Sequence, residues 1–514
     1  MPEKPNILFA FADDWGRYAS AYAEIYPGLN EHLKTPVFDR LAREGVLFTN
    51  AFVPAPSCTP CRSSVLTGRY FWNTGLGAIL QCAEWDSSIP SYPLMLEEHG
   101  YHIGFTYKVW SPGTPKDEPY GGERTRYMPA GAEFGRFSHF VTEHATDHGI
   151  DGSKEQLYRE VRDNFDAFLS DRPDGAPFCY WWGPTNTHRT WERGSGKPLW
   201  GIDPDGLEGL LPDFLPDVPE VREDVADYLG ECMAFDAGLG VLLQRLEETG
   251  ELDNTFIVVS GDHGIPGLPR GKCNLYDIGS EVALAVRWPG HVKGGRTVDD
   301  MINIMDLCPT FLNIAGIDPA EGMAGRSILD VLESPHNGQI DSARTSVVTG
   351  RERHVAAARE GNLPYPQRAI RTRDYLYIRN FAPDRWPIGD PRGLDDLTAP
   401  APPYDVLCND TVIVYADLDG SPTKAWIIHH RAEESVRDLF ELGFGKRSRE
   451  ELYDVRRDPS HMKNLAEDSE YQTIRRQLSE QLEQELTRNR DPRLVDDKCR
   501  FDGLPFTAPF HRDR

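Results

Sequence analysis

The chain has 514 residues, of which 39% are hydrophobic, and its formal net charge is −26. This length exceeds that of one simple domain, and the apolar content is sufficient for a large buried core. The strong negative charge argues against a nucleic-acid partner and against binding to anionic membranes. The nine cysteines are scattered, and only Cys58 and Cys61 lie close together, so the sequence does not predict a disulfide framework.

The amino-terminal segment MPEKPNILFAFADDWG has one lysine and a short apolar run that ends at Asp13 and Asp14. It lacks the small-residue cleavage site of a signal peptide. No stretch approaches the roughly 20 apolar residues of a membrane span. We therefore expect a cytoplasmic protein without a membrane partner, whose first core strand covers residues 6–12.

Strand and helix patterns alternate up to about residue 366. Residues 6–12, 46–53 and 281–290 are apolar runs typical of buried strands. Residues 35–45 predict a helix, with Thr35 as N-cap and Gly45 past the end. Helix-then-strand patterns recur in YPLMLEEHG–YHIGFTY, in KEQLYREVRDNFDAFLS–PFCYWWG, and in the long segment that precedes TFIVVSGDHG. Such alternation predicts an α/β fold with a mainly parallel sheet, whose ligands bind beyond the carboxyl ends of the strands.

The pattern changes after residue 366. RAIRTRDYLYIRNF and TKAWIIHHR are predicted as antiparallel strands, and residues 469–490 form an amphipathic helical pattern. The last 24 residues have few periodic signals and are interpreted as an arm. We therefore predict a catalytic α/β domain over residues 1–366 and a smaller α+β domain over residues 367–514.

Two acidic motifs directly follow predicted parallel strands. Asp13 and Asp14 end the first strand, and Asp262 and His263 end the strand TFIVVSG. Either pair alone is also typical of a solvated turn or a helix cap. Together they face one edge of the sheet, where neighbouring carboxylates repel each other unless a cation lies between them. Mostly oxygen ligands favour Ca²⁺ or Mg²⁺, and the imidazole also admits Mn²⁺.

The segment CTPCRSSVLTGRY, residues 58–70, follows a strand and a loop. It places Cys58 at a helix amino terminus, where an anion is favoured, with Arg62 one turn further on to reach the same anion. The C-x-x-C pair also matches a thioredoxin-type redox site. However, Ser57 stands where an aromatic residue is usual, and a redox site gives the aspartates no role. A zinc site would need further ligands at a suitable spacing, and the sequence shows none.

The segment from Cys58 onward resembles the signature of the type I sulfatases, C-x-P-x-R followed by L-T-G. The segments GDHG, GKCNLYDIG and ELYDVRRDPSHMKNLAED are similar to that family's and occur in the same order. Within the family, DHGIPGLPRGKCNLYD and the THR at 187–189 most resemble the heparan N-sulfatases (sulfamidases). The resemblance covers most of the chain and implies an alkaline-phosphatase-like fold.

The resemblance also implies a chemistry. A formylglycine-generating enzyme would oxidise Cys58 to formylglycine, whose hydrate attacks sulfur and later expels sulfate. The matching positions imply that one divalent metal, expected to be Ca²⁺ with Mn²⁺ and Mg²⁺ as alternatives, is held by Asp13, Asp14, Cys58, Asp262 and His263. Arg62 would hold the side of the site that carries the formylglycine and the metal. Lys108 matches the lysine of the family's G-K-x-H segment. Lys272 would bind the substrate sulfate, and His188 would protonate the leaving group.

Two positions depart from the family pattern. Cys61 replaces the usual Ser or Ala and places a thiol near the modified residue. Trp110 stands where the G-K-x-H segment has its histidine, and an indole cannot accept a proton. The resemblance implies that this histidine takes the proton of formylglycine's second hydroxyl as sulfate leaves, so release of sulfate is expected to be slow unless another base, such as His102 or a metal-bound hydroxide, substitutes.

The sequence thus predicts a sulfatase that hydrolyses sulfate monoesters, with an aryl sulfate or an N-sulfated sugar as substrate. One alternative is a phosphonate monoester or phosphodiester hydrolase of the same superfamily. Another is a non-catalytic anion-binding protein with unmodified Cys58. The oligomeric state stays open, with a homodimer as one option.

Overall fold

The computed structural model describes residues 4–510. Within them, the strands in chain order are β1 (Asn6–Ala12), β2 (Val46–Phe48), β3 (Ala51–Phe52), β4 (His102–Tyr107), β5 (Phe178–Gly183), β6 (Thr255–Gly261), β7 (Leu284–Arg287), β8 (Arg296–Val298), β9 (Ile302–Asn303), β10 (Ser346–Arg351), β11 (Gln367–Thr372), β12 (Tyr375–Asn380) and β13 (Glu450–Asp454).

The α-helices of the same residues are α1 (Pro36–Glu44), α2 (Cys58–Thr67), α3 (Tyr92–Glu98), α4 (Phe137–Asp171), α5 (Gly196–Trp200), α6 (Pro219–Glu248), α7 (Asp277–Ser280), α8 (Leu307–Ile314), α9 (Leu329–Glu333), α10 (Tyr404–Asn409), α11 (Pro422–His430), α12 (Glu434–Phe444), α13 (Gln472–Arg488) and α14 (Pro492–Val495). None of the helices described is both long and apolar enough to cross a membrane.

The predicted sheet is confirmed as a seven-stranded sheet in the order β4-β5-β1-β6-β7-β2-β8. Strand β1 is central and runs parallel to both β5 and β6, while β7 runs antiparallel to β6 and β2. The carboxyl ends of β4, β5, β1 and β6 therefore lie along one edge. The strand predicted over residues 46–53 is split in two, because β3 leaves the large sheet to pair with β9.

The core lies on both faces of this sheet, as the unbroken apolar run of β1 requires. Leu8 and Ala10 pack on one face among side chains of α4 and α6. Ile7 and Phe9 pack on the other face among side chains of α2, α3 and α8. Full burial of one such large side chain contributes about 1.5–3 kcal/mol, so β1 is firmly held from both sides.

The carboxyl-terminal part contains a four-stranded antiparallel sheet in the order β10-β11-β12-β13. The predicted strands in RAIRTRDYLYIRNF are confirmed as β11 and β12, and α13 confirms the amphipathic helix. Strand β10 precedes residue 366 and pairs with β11, so this sheet draws on residues from both sides of the proposed boundary. In the predicted arm, Phe501 and Phe506 are buried against this part of the core, and residues 511–514 lie outside the described residues.

The prediction of a strand at TKAWIIHHR is wrong, because residues 422–430 form helix α11. Its start has the chemistry of a helix amino terminus. The Ser421 side chain accepts a hydrogen bond from the Lys424 amide, and Pro422 occupies the first helical position. The β-branched and aromatic residues suggested a strand, but this local capping and the burial of Ile427 and Ile428 on one side favour the helix.

Helix α6 carries buried carboxylates that hold neighbouring loops. Asp236 accepts hydrogen bonds from two amides at the start of α1, at 2.7 and 3.1 Å. Asp227 accepts from two amides at the start of α5, those of Gly194 and Gly196, both at 2.8 Å. Glu231 accepts from the Ser138 amide and from the Asn186 side chain, at 3.2 and 3.0 Å. Burial raises the pKa of each of these three carboxyls to about 7.

This gives a prediction for stability against pH. The folded state holds the Glu231 proton more tightly than the unfolded state, so ionisation costs stability as pH rises from 4.5, the ordinary value, through about 7. Since one pKa unit is worth about 1.4 kcal/mol, this cost approaches about 3 kcal/mol. Glu231→Gln should therefore lose less stability than wild type between pH 4.5 and pH 8, measured as melting temperature. Glu155→Gln, at an exposed position, serves as control, and equal pH slopes for Glu231→Gln and wild type would contradict the assignment.

Candidate active site

The predicted site residues meet at the carboxyl-terminal edge of the large sheet. Asp13 and Asp14 directly follow β1, and Asp262 and His263 directly follow β6. Lys108 follows β4, and a loop after β5 carries His188. Cys58 is the first residue of α2, as expected, with Ser57 as N-cap. The parallel order of the strands is thus what brings together residues far apart in sequence.

Four of the predicted metal ligands form a compact buried group. Nε2 of His263 lies 3.1 Å from Oδ1 of Asp14 and 3.6 Å from Oδ1 of Asp262. Sγ of Cys58 lies 3.4 Å from the same His263 nitrogen and 3.8 Å from Asp14 Oδ1. The ligand atoms of these residues all lie within 4.8 Å of one another. A second group of the same spacing joins Asp13, Asp14, Cys58 and His188.

Three cations surround the carboxylates. Arg62 is wholly buried, and its guanidinium donates to Asp262 Oδ2 at 2.8 Å and to Asp13 Oδ1 at 3.0 Å. Nζ of Lys108 donates to both oxygens of Asp13 at 2.8 Å. Nζ of Lys272 donates to Asp14 Oδ2 at 2.8 Å. The prediction that Arg62 forks onto a bound anion is therefore wrong, because its fork is filled by the two aspartates.

The ligand atoms of this cluster, rather than its net charge, fit a divalent cation. Three carboxylates against three basic side chains give no net charge, so a divalent ion would leave the cluster positive. Burial raises the pKa of Asp262 more than His263 and Arg62 lower it, so the ionised form of Asp262 is short of positive neighbours. Carboxylate oxygens with one imidazole are a donor set for Ca²⁺, Mg²⁺ or Mn²⁺. The residues present can therefore hold a metal ion.

Neither thiol of the C-x-x-C pair is activated. Burial, together with neighbouring carboxylates, raises the pKa of Cys58 and Cys61 well above the ordinary value. A reactive cysteine instead has a lowered pKa and partial exposure. The thiol environment is therefore unlike that of a redox site, and the Cys61 side chain of α2 is buried in the core.

His188 is the most exposed of the predicted site residues. Its side chain keeps 35% of its exposure, and Nε2 lies 3.9 Å from Asp14 Oδ2. The preceding residues fix its loop: the Thr187 hydroxyl donates to the carbonyl of Asp13, and the Asn186 side chain donates to Glu231. The ring is thus positioned at the rim of the buried cluster, open to a bound ligand.

Trp110 and His102 both lie away from this cluster. Trp110 is fully buried in the core, where its indole N–H donates to the Ser63 hydroxyl at 2.8 Å and its ring meets the edge of Trp85. His102 begins β4 and stacks on Phe168, at the opposite end of the strand from Lys108. The hypothesis that His102 substitutes as the base is therefore wrong, because His102 lies at the end of β4 that is far from the site.

Sequence reasoning missed Asp419, which lies 3.4 Å from Nζ of Lys272. Burial alone would raise its pKa, but Lys272, His188 and His354 hold it well below the ordinary value. His354 contributes a second unexpected contact, since its Nδ1 is 2.8 Å from the hydroxyl of Ser57. In the sequence, the only signal for Asp419 is the acidic turn YADLDG. This turn precedes the segment for which a strand is predicted and which forms helix α11.

Comparison with known proteins shows the family to which the chain belongs. Residues 5–317 match the sulfatase family model, and residues 270–390 match the model of the carboxyl-terminal region of N-sulphoglucosamine sulphohydrolase. The chain belongs to the sulfatase family and is a sulfuric ester hydrolase. It is 29% identical to human N-sulphoglucosamine sulphohydrolase, with 99% of this chain and 95% of that protein covered. It is 26% identical to an ulvan-active sulfatase of Formosa agariphila, with 95% and 75% covered.

Solved structures confirm the alkaline-phosphatase-like fold. A protein in complex with its substrate D-glucosamine-2-N,6-O-disulfate superposes with a TM-score of 0.62 at 18% identity, covering 96% of this chain and all of that one. The phosphonate monoester hydrolase of Agrobacterium radiobacter also gives 0.62 at 18% identity, covering 94% and 96%. At this identity the two structures share the fold with this chain and do not distinguish the two activities.

The buried ion pairs make Arg62 a test of the site's construction. Arg62→Gln would leave Asp13 and Asp262 without their shared guanidinium, and loss of one partner of a buried pair typically costs about 3–5 kcal/mol. We expect a clear drop in melting temperature. Arg136→Gln is the matched control, because Arg136 is 56% exposed, and it should change stability by less than about 0.5 kcal/mol. Equal melting temperatures for Arg62→Gln and Arg136→Gln would show that the cluster does not depend on this cation.

Proposed function

We propose that this sulfatase uses formylglycine made from Cys58, together with one divalent metal, to remove sulfate from a sugar O-sulfate or N-sulfate. The observation that carries the proposal is the buried arrangement of Cys58 against Asp14 and His263, with Lys272 and Lys108 on either side. Formylglycine would supply a hydroxyl nucleophile at a position where the unmodified thiol is protonated.

The metal ligands in the proposal are Asp14, Asp262, His263 and the modified Cys58, with Asp13 beside them. We propose Ca²⁺, since three carboxylates supply mostly hard oxygen donors, with Mg²⁺ or Mn²⁺ as alternatives. A bound divalent ion would stabilise negative charge on the sulfuryl oxygens and favour a deprotonated nucleophile.

The side chains of this chain then have separate roles. Lys272 and Lys108 are held on the carboxylates of Asp14 and Asp13, so their ammonium groups can also donate to sulfuryl oxygens. Arg62 is fully engaged and bridges Asp13 and Asp262. His188, the exposed ring at the rim, would donate a proton to the departing oxygen or nitrogen.

The substrate class in the proposal follows from the relatives. The names of the matched proteins refer to N-sulphoglucosamine and to ulvan, and a structural neighbour was solved with a disulfated glucosamine. Sulfated sugars therefore have more support than aryl sulfates. The phosphonate monoester hydrolase neighbour keeps phosphonate esters as the second candidate, since nearly the same fold serves that activity.

The experiment for this proposal is the mass of the peptide that carries Cys58, isolated from active protein made in a host with the maturation enzyme. We expect the aldehyde or its hydrate at this position. Cys58→Ala should abolish turnover of sulfate esters, whereas Cys61→Ser, the matched control three residues away, should retain most of it.

Active protein with an intact Cys58 thiol, or with a bond between Cys58 and Cys61, would contradict formylglycine chemistry. A higher kcat/KM for a phosphonate monoester than for a sulfate monoester with the same leaving group would move the protein to the second candidate function.

A further inference from the structure

Asp419 is a carboxylate that the roles proposed above leave unexplained. It lies in the loop between α10 and α11, next to the buried cluster, with 16% of its side chain exposed. Its Oδ2 atom is buried and has no hydrogen-bond partner among the described residues. The ammonium of Lys272 lies 3.4 Å from this oxygen and forms an ion pair with it.

The neighbouring Asp417, in the same loop, is a structural carboxylate whose hydrogen bonds provide a comparison for Asp419. Asp417 accepts hydrogen bonds from the guanidinium groups of Arg351 and Arg359, both at 2.7 Å, and from the Val355 amide at 2.9 Å. Buried polar groups are normally paired in this way. Asp419 is two residues away, and its Oδ2 accepts no hydrogen bond from the described residues. A hydrogen-bond donor on a bound ligand would satisfy this oxygen.

The position of Asp419 limits what that donor can be. Lys272 contacts both Asp14 in the cluster and Asp419 beyond it, at 2.8 and 3.4 Å. A sulfuryl oxygen that binds Lys272 therefore lies one contact away from Asp419. The negative charge of Asp419 disfavours an anion that brings no donor, whereas an O–H or N–H next to the sulfated atom would meet an acceptor. His188 Nε2 and Lys272 Nζ approach the same atom, Oδ2 of Asp14, at 3.9 and 2.8 Å, so Asp419, next to Lys272, lies near the side of the site where His188 stands.

We propose that Asp419 is a specificity-determining residue that accepts a hydrogen bond from a hydroxyl or amino group beside the sulfated position of the substrate. This selects sulfated sugars and amino sugars over aryl sulfates, which carry no such donor. The inference rests on the proposed function, because it takes Lys272 as the sulfate-binding cation. It adds the residue that recognises the leaving group.

The test compares two substrates in wild type, Asp419→Asn and a control, Asp405→Asn, which removes a charge at a position whose side chain is 85% exposed. For glucosamine N-sulfate, Asp419→Asn should lower kcat/KM about 10- to 100-fold, as expected for loss of a hydrogen bond to a charged group. For 4-nitrophenyl sulfate, kcat/KM should stay the same or rise. Asp405→Asn should change neither. An equal loss on both substrates, or no loss on the sugar, would overturn the proposal.

Binding to Cys58→Ala protein separates this inference from the proposed function. Glucosamine N-sulfate and inorganic sulfate are titrated into Cys58→Ala and into the double variant with Asp419→Asn. The added substitution should weaken binding of the sugar only. If the sugar binds in this way but mature wild type does not hydrolyse it, the proposed function fails and the recognition by Asp419 stands. If the sugar fails to bind, or binds both proteins equally, the recognition by Asp419 is wrong whatever the turnover.

Discussion

The pairing of three buried carboxylates with three basic side chains, at the carboxyl ends of β1 and β6, is the constraint on which the site depends. Asp13, Asp14 and Asp262 are held there by the central strands, and Arg62, Lys108 and Lys272 neutralise them. Without these partners, charges this deeply buried would be too costly to keep ionised. A divalent ion added to this balanced cluster gives a positive site inside a chain whose net charge is −26.

The rest of the fold serves this arrangement. The parallel order β4-β5-β1-β6 places four loops at one edge, and α2 begins at the same edge with Cys58. Behind the sheet, α6 uses buried carboxylates to fix loops, and through Glu231 and Asn186 it supports the loop that carries His188. The residues that could hold a metal are therefore fixed by strand ends and buried ion pairs. The leaving-group side of the site is built from loops, where substrate preference can be set.

Much of this arrangement could be predicted from the sequence because parallel strands put their carboxyl ends together. An apolar run precedes each of the two acidic motifs, Asp13–Asp14 and Asp262–His263. Their shared edge of the sheet can therefore be predicted without knowledge of tertiary contacts. Arg62 shows the limit of such reasoning, since helical spacing brought it near Cys58 but could not show that two aspartates fill its guanidinium. The role of Asp419 could not be predicted, because its contact with Lys272 spans 147 positions of the chain. The contact also depends on the turn before α11, a segment for which the sequence predicts a strand instead of a helix.

A bound divalent metal would reverse the charge of this balanced cluster and so create the sulfate site. The most direct test is a calorimetric titration of inorganic sulfate into wild-type protein with and without Ca²⁺. Ca²⁺ should raise the affinity for sulfate at least about tenfold, and sulfate should raise the affinity for Ca²⁺ by the same factor, because such coupling is reciprocal. Equal sulfate affinity for the metal-free and metal-loaded protein would contradict this role of the metal.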